Sequence, residues 1–189
     1  MDYFLLAQFV GLISLSLEIF RFQCKSPKVF FYIEPFLSIL YFLQFALLGA
    51  SGAYLVSALS ITRGFAGLFL NQKNMRQIIV MFYIPAYITI GLIVASSFFE
   101  FLPTIALLVS SMTFLCRDNR WLVTRLYIVN NAIWLIYAVP YDAYAHMATC
   151  VLTLTSLVIG IIRYEKVFTR IKTYALNYSY KKISVKNPI

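Results

Sequence analysis

Runs of about 20 mostly apolar residues, separated by short polar breaks, fill most of this chain; they are read at 3–21, 29–48, 51–70, 77–95, 100–116, 120–139 and 142–163. A helix rises about 1.5 Å per residue and bilayer hydrocarbon is about 30 Å thick, so each run has the length of one crossing. Charged residues are only 12% of the chain against 61% apolar, whereas a soluble domain carries about a quarter charged residues. A water-facing surface cannot be built from this material. The expected fold is therefore all-α and integral to the membrane, with seven transmembrane helices. The first run follows Asp2 without a basic leader or a small-residue cleavage site, so it is expected to be a retained span, with the mature chain beginning at or near Met1.

The breaks are built from turn-forming residues: Gln23 to Lys28, Gly49 to Gly52, Asn71 to Asn74, Ser96-Ser97, Arg117 to Arg120 and Pro140 to Asp142. Lys and Arg occupy alternate breaks: Arg21, Lys25 and Lys28 in the first, Lys73 and Arg76 in the third, Arg117 and Arg120 in the fifth, and then the tail from Arg163. Positive flanks stay in the cytoplasm, which predicts the N-terminus outside and the C-terminus inside. The net charge of +9 has seven of its sixteen basic residues from Arg163 onward. It reads as cytoplasmic flanks beside anionic lipid and not as a nucleic-acid site. Tyr3, Trp121, Tyr141, Tyr144 and Tyr164 at the run ends read as interfacial aromatics. Cys24, Cys116 and Cys150 show no ligand-like spacing, so no disulfide, metal or cofactor is expected.

Sliding the chain on itself by 93 residues places Ser38 on Asn131, Tyr41 on Trp134, Ser60 on Thr153 and Gly67 on Gly160. An offset of 96 places Ala7-Gln8 on Pro103-Thr104. Only the fourth run lacks a mate. The expected plan is two parallel three-helix repeats joined by an inversion helix: a first bundle at 1–70, a linker helix at 71–98, a second bundle at 99–163 and a basic cytoplasmic tail at 164–189.

Parallel three-helix repeats with Gln8 or Pro103 near the head of each first helix resemble the SWEET, semiSWEET and PQ-loop transporters, although each copy keeps only half of the Pro-Gln pair. A closer likeness runs to Tyr164: Leu6-Ala7-Gln8 through Gly11, Leu47-Leu48-Gly49, Arg63, Glu100-Phe101-Leu102-Pro103, Phe114-Leu115-Cys116 and Ile161-Ile162-Arg163 resemble the YgjV-type bacterial inner membrane proteins. That resemblance implies a bacterial inner membrane location and a SWEET-like architecture, and it supplies no substrate.

Polar groups inside hydrocarbon are costly, so their positions carry the functional signal. Glu34, Ser38 and Tyr41 share one face of the second helix, and Tyr127, Asn131 and Trp134 share the equivalent face of the sixth. A central site lined by Asn130, Asn131, Trp134, Ser38, Tyr41, Ser60 and Thr153 is expected to bind a small polar solute. The competing reading is that such stripes simply allow close helix packing. Glu18, Glu34, Arg63 and Arg125 lie at similar depth and suggest a cytoplasmic gate in which Glu34 or Glu18 pairs with Arg63 or Arg125; the competing reading is that the arginines snorkel to the interface, which is favoured for Arg125. His146, the one histidine, would suit a proton site, but its place near the outer end of its helix favours an interfacial residue.

No sequence signature of an enzyme is present. The leading expectation is a SWEET-like carrier working by alternating access, favouring a neutral polar solute such as a sugar or nucleoside, with Arg63 leaving an anion open. The alternative is a non-transporting membrane adaptor or assembly protein acting through its basic tail. The expected partners are the bilayer and an unknown small solute; a homo-oligomer is left open and no nucleic acid is expected.

Overall fold

The computed structural model describes residues 2–23, 27–116 and 119–162. The expectation for a basic tail at 164–189 lies outside the described residues, as do Cys24 and Arg117. Seven helices, α1 to α7, follow one another, and no strand occurs among the described residues. They are α1 (Tyr3–Gln23), α2 (Pro27–Leu47), α3 (Ser51–Phe69), α4 (the continuous pieces Gln72–Ile78, Ile79–Tyr83 and Ile84–Val94), α5 (Phe98–Leu115), α6 (Arg120–Ala138, with a closing 3₁₀ turn Val139–Tyr141) and α7 (Tyr144–Ile162).

Six of these helices are long and apolar enough to cross a membrane. On α2 the apolar stretch is shorter, covering Tyr32–Leu47. The expected fourth run, 77–95, lies within a helix that begins earlier, at Gln72, and includes a π-helical turn over Ile79–Tyr83. The first helix likewise runs past 21 to Gln23.

The polar breaks act as helix caps, which is why the helices end where the sequence changes character. The Asn71 side chain accepts from the Asn74 N–H at 2.9 Å, and the Asn119 side chain accepts from the Leu122 N–H at 3.1 Å. Ser97 accepts from the Glu100 N–H, while the Glu100 carboxylate accepts from the Ser96 N–H and hydroxyl at 2.9 Å each. These reciprocal bonds satisfy donors that a helix start leaves open and make the tight α4–α5 turn. Gly49 closes the α2–α3 turn at φ +72°, a conformation that glycine adopts without a Cβ penalty.

The first 154 residues form one compact unit, and residues 155–162 are described only as the continuation of α7. Within that unit α1 packs on α2, α2 on α3, α3 on α5, and α5 on α6, while α4 lies against α3 and α5. α7 meets α1 at its start: the Gln8 side-chain amide donates to the Asp142 carbonyl at 2.8 Å and its oxygen accepts from the Ala145 N–H at 3.1 Å.

The distribution of polarity is inverted relative to a water-soluble protein. Phe9, Leu12, Phe20, Phe36, Met81, Leu92, Ile93 and Ile136 are exposed, whereas Ser14, Glu18, Arg21, Gln44, Arg63, Ser111 and His146 are buried. An apolar exterior that encloses these polar groups beside an apolar core around Phe45, Val56, Ile79 and Phe114 suits hydrocarbon surroundings.

Candidate functional site

Close backbone contact sets the site. Gly64 of α3 lies against Pro35 of α2 so tightly that a Cβ at Gly64 would stand 2.9 Å from the Pro35 Cα. That approach puts Arg63 next to Glu34. The resulting pair is at 3.7 Å, between Arg63 Nη2 and Glu34 Oε1.

Glu34 reaches a second guanidinium. Its Oε2 is 2.7 Å from Arg21 Nη2, and Arg21 Nη1 is 3.2 Å from Glu18 Oε2. Arg21 also donates to the Tyr127 hydroxyl of α6 at 3.3 Å. Arg63 completes its shell on α5, donating to the Ser111 hydroxyl at 2.8 Å, the Ser110 hydroxyl at 3.1 Å and the Leu107 carbonyl at 3.4 Å. Its guanidinium also lies over the rings of Phe114 (5.1 Å) and Tyr87 (5.7 Å). Two carboxylates and two guanidiniums, drawn from α1, α2 and α3 and anchored on α5 and α6, thus cancel in charge. Arg63 is 1% exposed and Arg21 4%. Charges so deeply buried are tolerable only because each is paired and hydrogen-bonded.

Above this network lies a cavity of about 70 Å³. Its two long walls are α2, which contributes Glu34, Leu37, Ser38 and Tyr41, and α6, which contributes Tyr127, Asn130, Asn131 and Trp134. Ser57, Ser60 and Arg63 of α3, Leu107 and Ser110 of α5, Glu18 and Arg21 of α1, and His146, Thr149 and Cys150 of α7 complete the lining. Behind Trp134 lies an aromatic cluster: Phe45 stacks on Trp134 with centroids 5.4 Å apart, and Tyr137 packs against both.

The structure therefore brings Asn130, Asn131, Trp134, Ser38, Tyr41, Ser60, Glu34, Arg63 and Glu18 around one space. Thr153 is buried at 3% exposure but is not part of the lining, which ends at Cys150 on that helix. Several wall groups are already engaged: Asn131 donates to the Tyr127 carbonyl at 2.8 Å, Thr149 to the Ala145 carbonyl at 2.9 Å, and Ser60 shares a 3.0 Å bond with the Tyr87 hydroxyl. Asn130 Oδ1 is buried without a partner.

Three placements depart from the sequence reading. Arg21, counted among the basic residues of the first break, is buried at the centre of the ion-pair network. His146, expected at an interface, is 4% exposed and lines the cavity. The α5 hydroxyls of Ser110 and Ser111, absent from the expected site, hold Arg63. Two adjacent hydroxyls at i+3 and i+4 from Leu107, inside an otherwise apolar helix, are the sequence signal for them. Arg125, by contrast, is exposed and lies 4.6 Å over the Trp121 ring, outside the network.

No curated protein and no solved structure matches the chain. The model of a family described as bacterial inner membrane proteins, Imp-YgjV, matches residues 5–167. The multi-pass apolar helices, the buried polar interior and this match together place the chain in the Imp-YgjV family of bacterial inner membrane proteins.

Proposed function

We propose that the chain is a small-solute carrier in which two three-helix bundles rock about the cavity between α2 and α6. The observation that carries this reading is the cavity itself: a space between the middle helices of the two bundles, lined by hydroxyl and amide groups with Tyr41 and Trp134 and bordered by the ion pairs. In this reading all seven helices span the membrane, α1–α2–α3 and α5–α6–α7 are parallel repeats, and α4 is the inversion helix. The packing order supports it, since α3 joins α5, Gln8 of α1 joins the start of α7, and α4 lies beside α3 and α5. The ion-pair end faces the cytoplasm, in keeping with the alternating basic breaks.

Because the four charges of the network cancel, the site offers hydroxyls, amides and flat aromatic faces without net charge, which favours a neutral polar solute such as a sugar or nucleoside. At about 70 Å³ the cavity is well below the roughly 300 Å³ of a typical ligand site. The conformation described is then the contracted one, and rocking enlarges it. The same small volume favours a second reading, a packed membrane adaptor that acts through its basic tail.

Thermal unfolding of the detergent-purified protein with sugars, nucleosides, vitamins and carboxylates separates the two, because a ligand bound only by the native state raises the midpoint. The carrier predicts a shift from one chemical class that is lost in Asn131→Ala. No shift from any class, with Asn131→Ala as stable as the parent, supports the adaptor.

A further inference from the structure

His146 of α7 is buried without a hydrogen-bond partner, as Gln44 of α2 is. Neither ring nitrogen has a hydrogen-bond partner, and the side chain is 4% exposed. Three aromatic rings surround it edge to face: Tyr41 at 4.9 Å and Phe45 at 5.0 Å from α2, and Trp134 at 5.5 Å from α6. On α1, the nearby Gly11 and Gln8 meet α7 at Ala145 and offer no charge. The titratable groups near it are the Tyr41 hydroxyl on α2 and, on its own helix, the Cys150 thiol. The carboxylates that share the cavity, Glu18 on α1 and Glu34 on α2, are held by Arg21 and Arg63.

Leaving a buried polar group unpaired destabilises the state that buries it, by about 1–3 kcal/mol for a neutral group and far more for an ion. In the contracted state the packing favours the neutral imidazole, because no protein acceptor stands beside either ring nitrogen. Moving α7 away from α2 and α6 would let water or solute reach both nitrogens and would permit protonation. We propose that His146 is the proton-binding site of the carrier, occupied only when the cavity opens, so that protons and opening favour one another. This rests on the carrier reading and adds a coupling ion to it.

Trp134 reports on both events. In a Trp121→Phe background it is the one remaining tryptophan, and it is buried at 8% exposure beside His146. Acrylamide, a neutral quencher insensitive to pH, reaches its indole only when the cavity opens. The quenching constant of the detergent-purified protein is expected to rise about twofold or more between about pH 8 and pH 5, across the range where an imidazole titrates. The rise is expected to vanish in both His146→Gln and His146→Phe, the second of which preserves the aromatic packing. A pH-independent constant in the parent, or a rise that persists in a folded His146 variant, overturns the proposal. Glu34→Gln at pH 8 distinguishes the two levels of the argument. If it raises quenching while pH does not, the cavity opens without protons and the carrier reading stands alone. If neither raises it, the centre does not open and both fail.

Discussion

Glu34→Gln is the substitution that most directly tests the buried network. Glu34 bridges both guanidiniums, at 2.7 Å from Arg21 and 3.7 Å from Arg63. Removing one partner of a buried pair costs about 3–5 kcal/mol, because it leaves an uncompensated charge. Glutamine keeps a carbonyl oxygen in nearly the same place, and one hydrogen bond to a charged group contributes about 1.5–3 kcal/mol. The difference is a loss of about 1.5–2 kcal/mol. For a chain of this length that corresponds to a fall of about 3–8 °C in the thermal midpoint. Glu18→Gln is the internal comparison. Among the described residues Glu18 pairs with Arg21 alone, at 3.2 Å and three residues along the same helix, and Arg21 keeps Glu34 when Glu18 is neutralised, so its loss should cost about 1 kcal/mol. Thermal unfolding of both variants in the same detergent gives the comparison, and a Glu34→Gln/Arg63→Gln double-mutant cycle isolates the cross-helix term. If Glu34→Gln unfolds within about 2 °C of the parent, or no lower than Glu18→Gln, the bridging role assigned to Glu34 is refuted.

Two further variants probe the packing around the network. Gly64→Ala forces a methyl group to within 2.9 Å of the Pro35 backbone; the resulting separation of α2 from α3 should lower the midpoint by an amount equivalent to about 1–3 kcal/mol. Arg125→Gln removes only an exposed guanidinium stacked on Trp121, and its midpoint should stay within about 1 kcal/mol of the parent; a larger fall would place Arg125 in the network after all.

The helix boundaries were largely legible because the same short polar residues that interrupt the apolar runs also cap the helices, as Asn71, Ser97 and Asn119 do. The facing walls of α2 and α6 were legible too, since Glu34, Ser38 and Tyr41 recur at helical spacing and Tyr127, Asn131 and Trp134 repeat the pattern. Arg21 was not. A basic residue near a helix end has the same appearance in sequence whether it reaches water or turns inward, and only the approach of α2 and α6 provides Glu34 and Tyr127 as partners. His146 was misread for a related reason. Its distance along α7 placed it near an end, whereas its burial is set by the α2 and α6 rings that cover it. The start of α4 at Gln72 was missed because Gln72 to Arg76 lack apolar periodicity and are held in the helix by the Asn71 cap.

The inverted polarity of the molecule has a thermodynamic consequence. Phe9, Leu12, Leu92 and Ile136 face outward in the folded chain and would still face hydrocarbon if the helices separated within a bilayer. Separation would thus transfer little apolar surface to water, which is the main source of the heat-capacity change when soluble proteins unfold. Stability inside the membrane should then vary almost linearly with temperature, without the marked curvature that produces cold denaturation. The favourable terms that remain are tight contacts such as Gly64 on Pro35 and the paired charges at the centre, in line with the weak hydrophobic drive between helices in lipid.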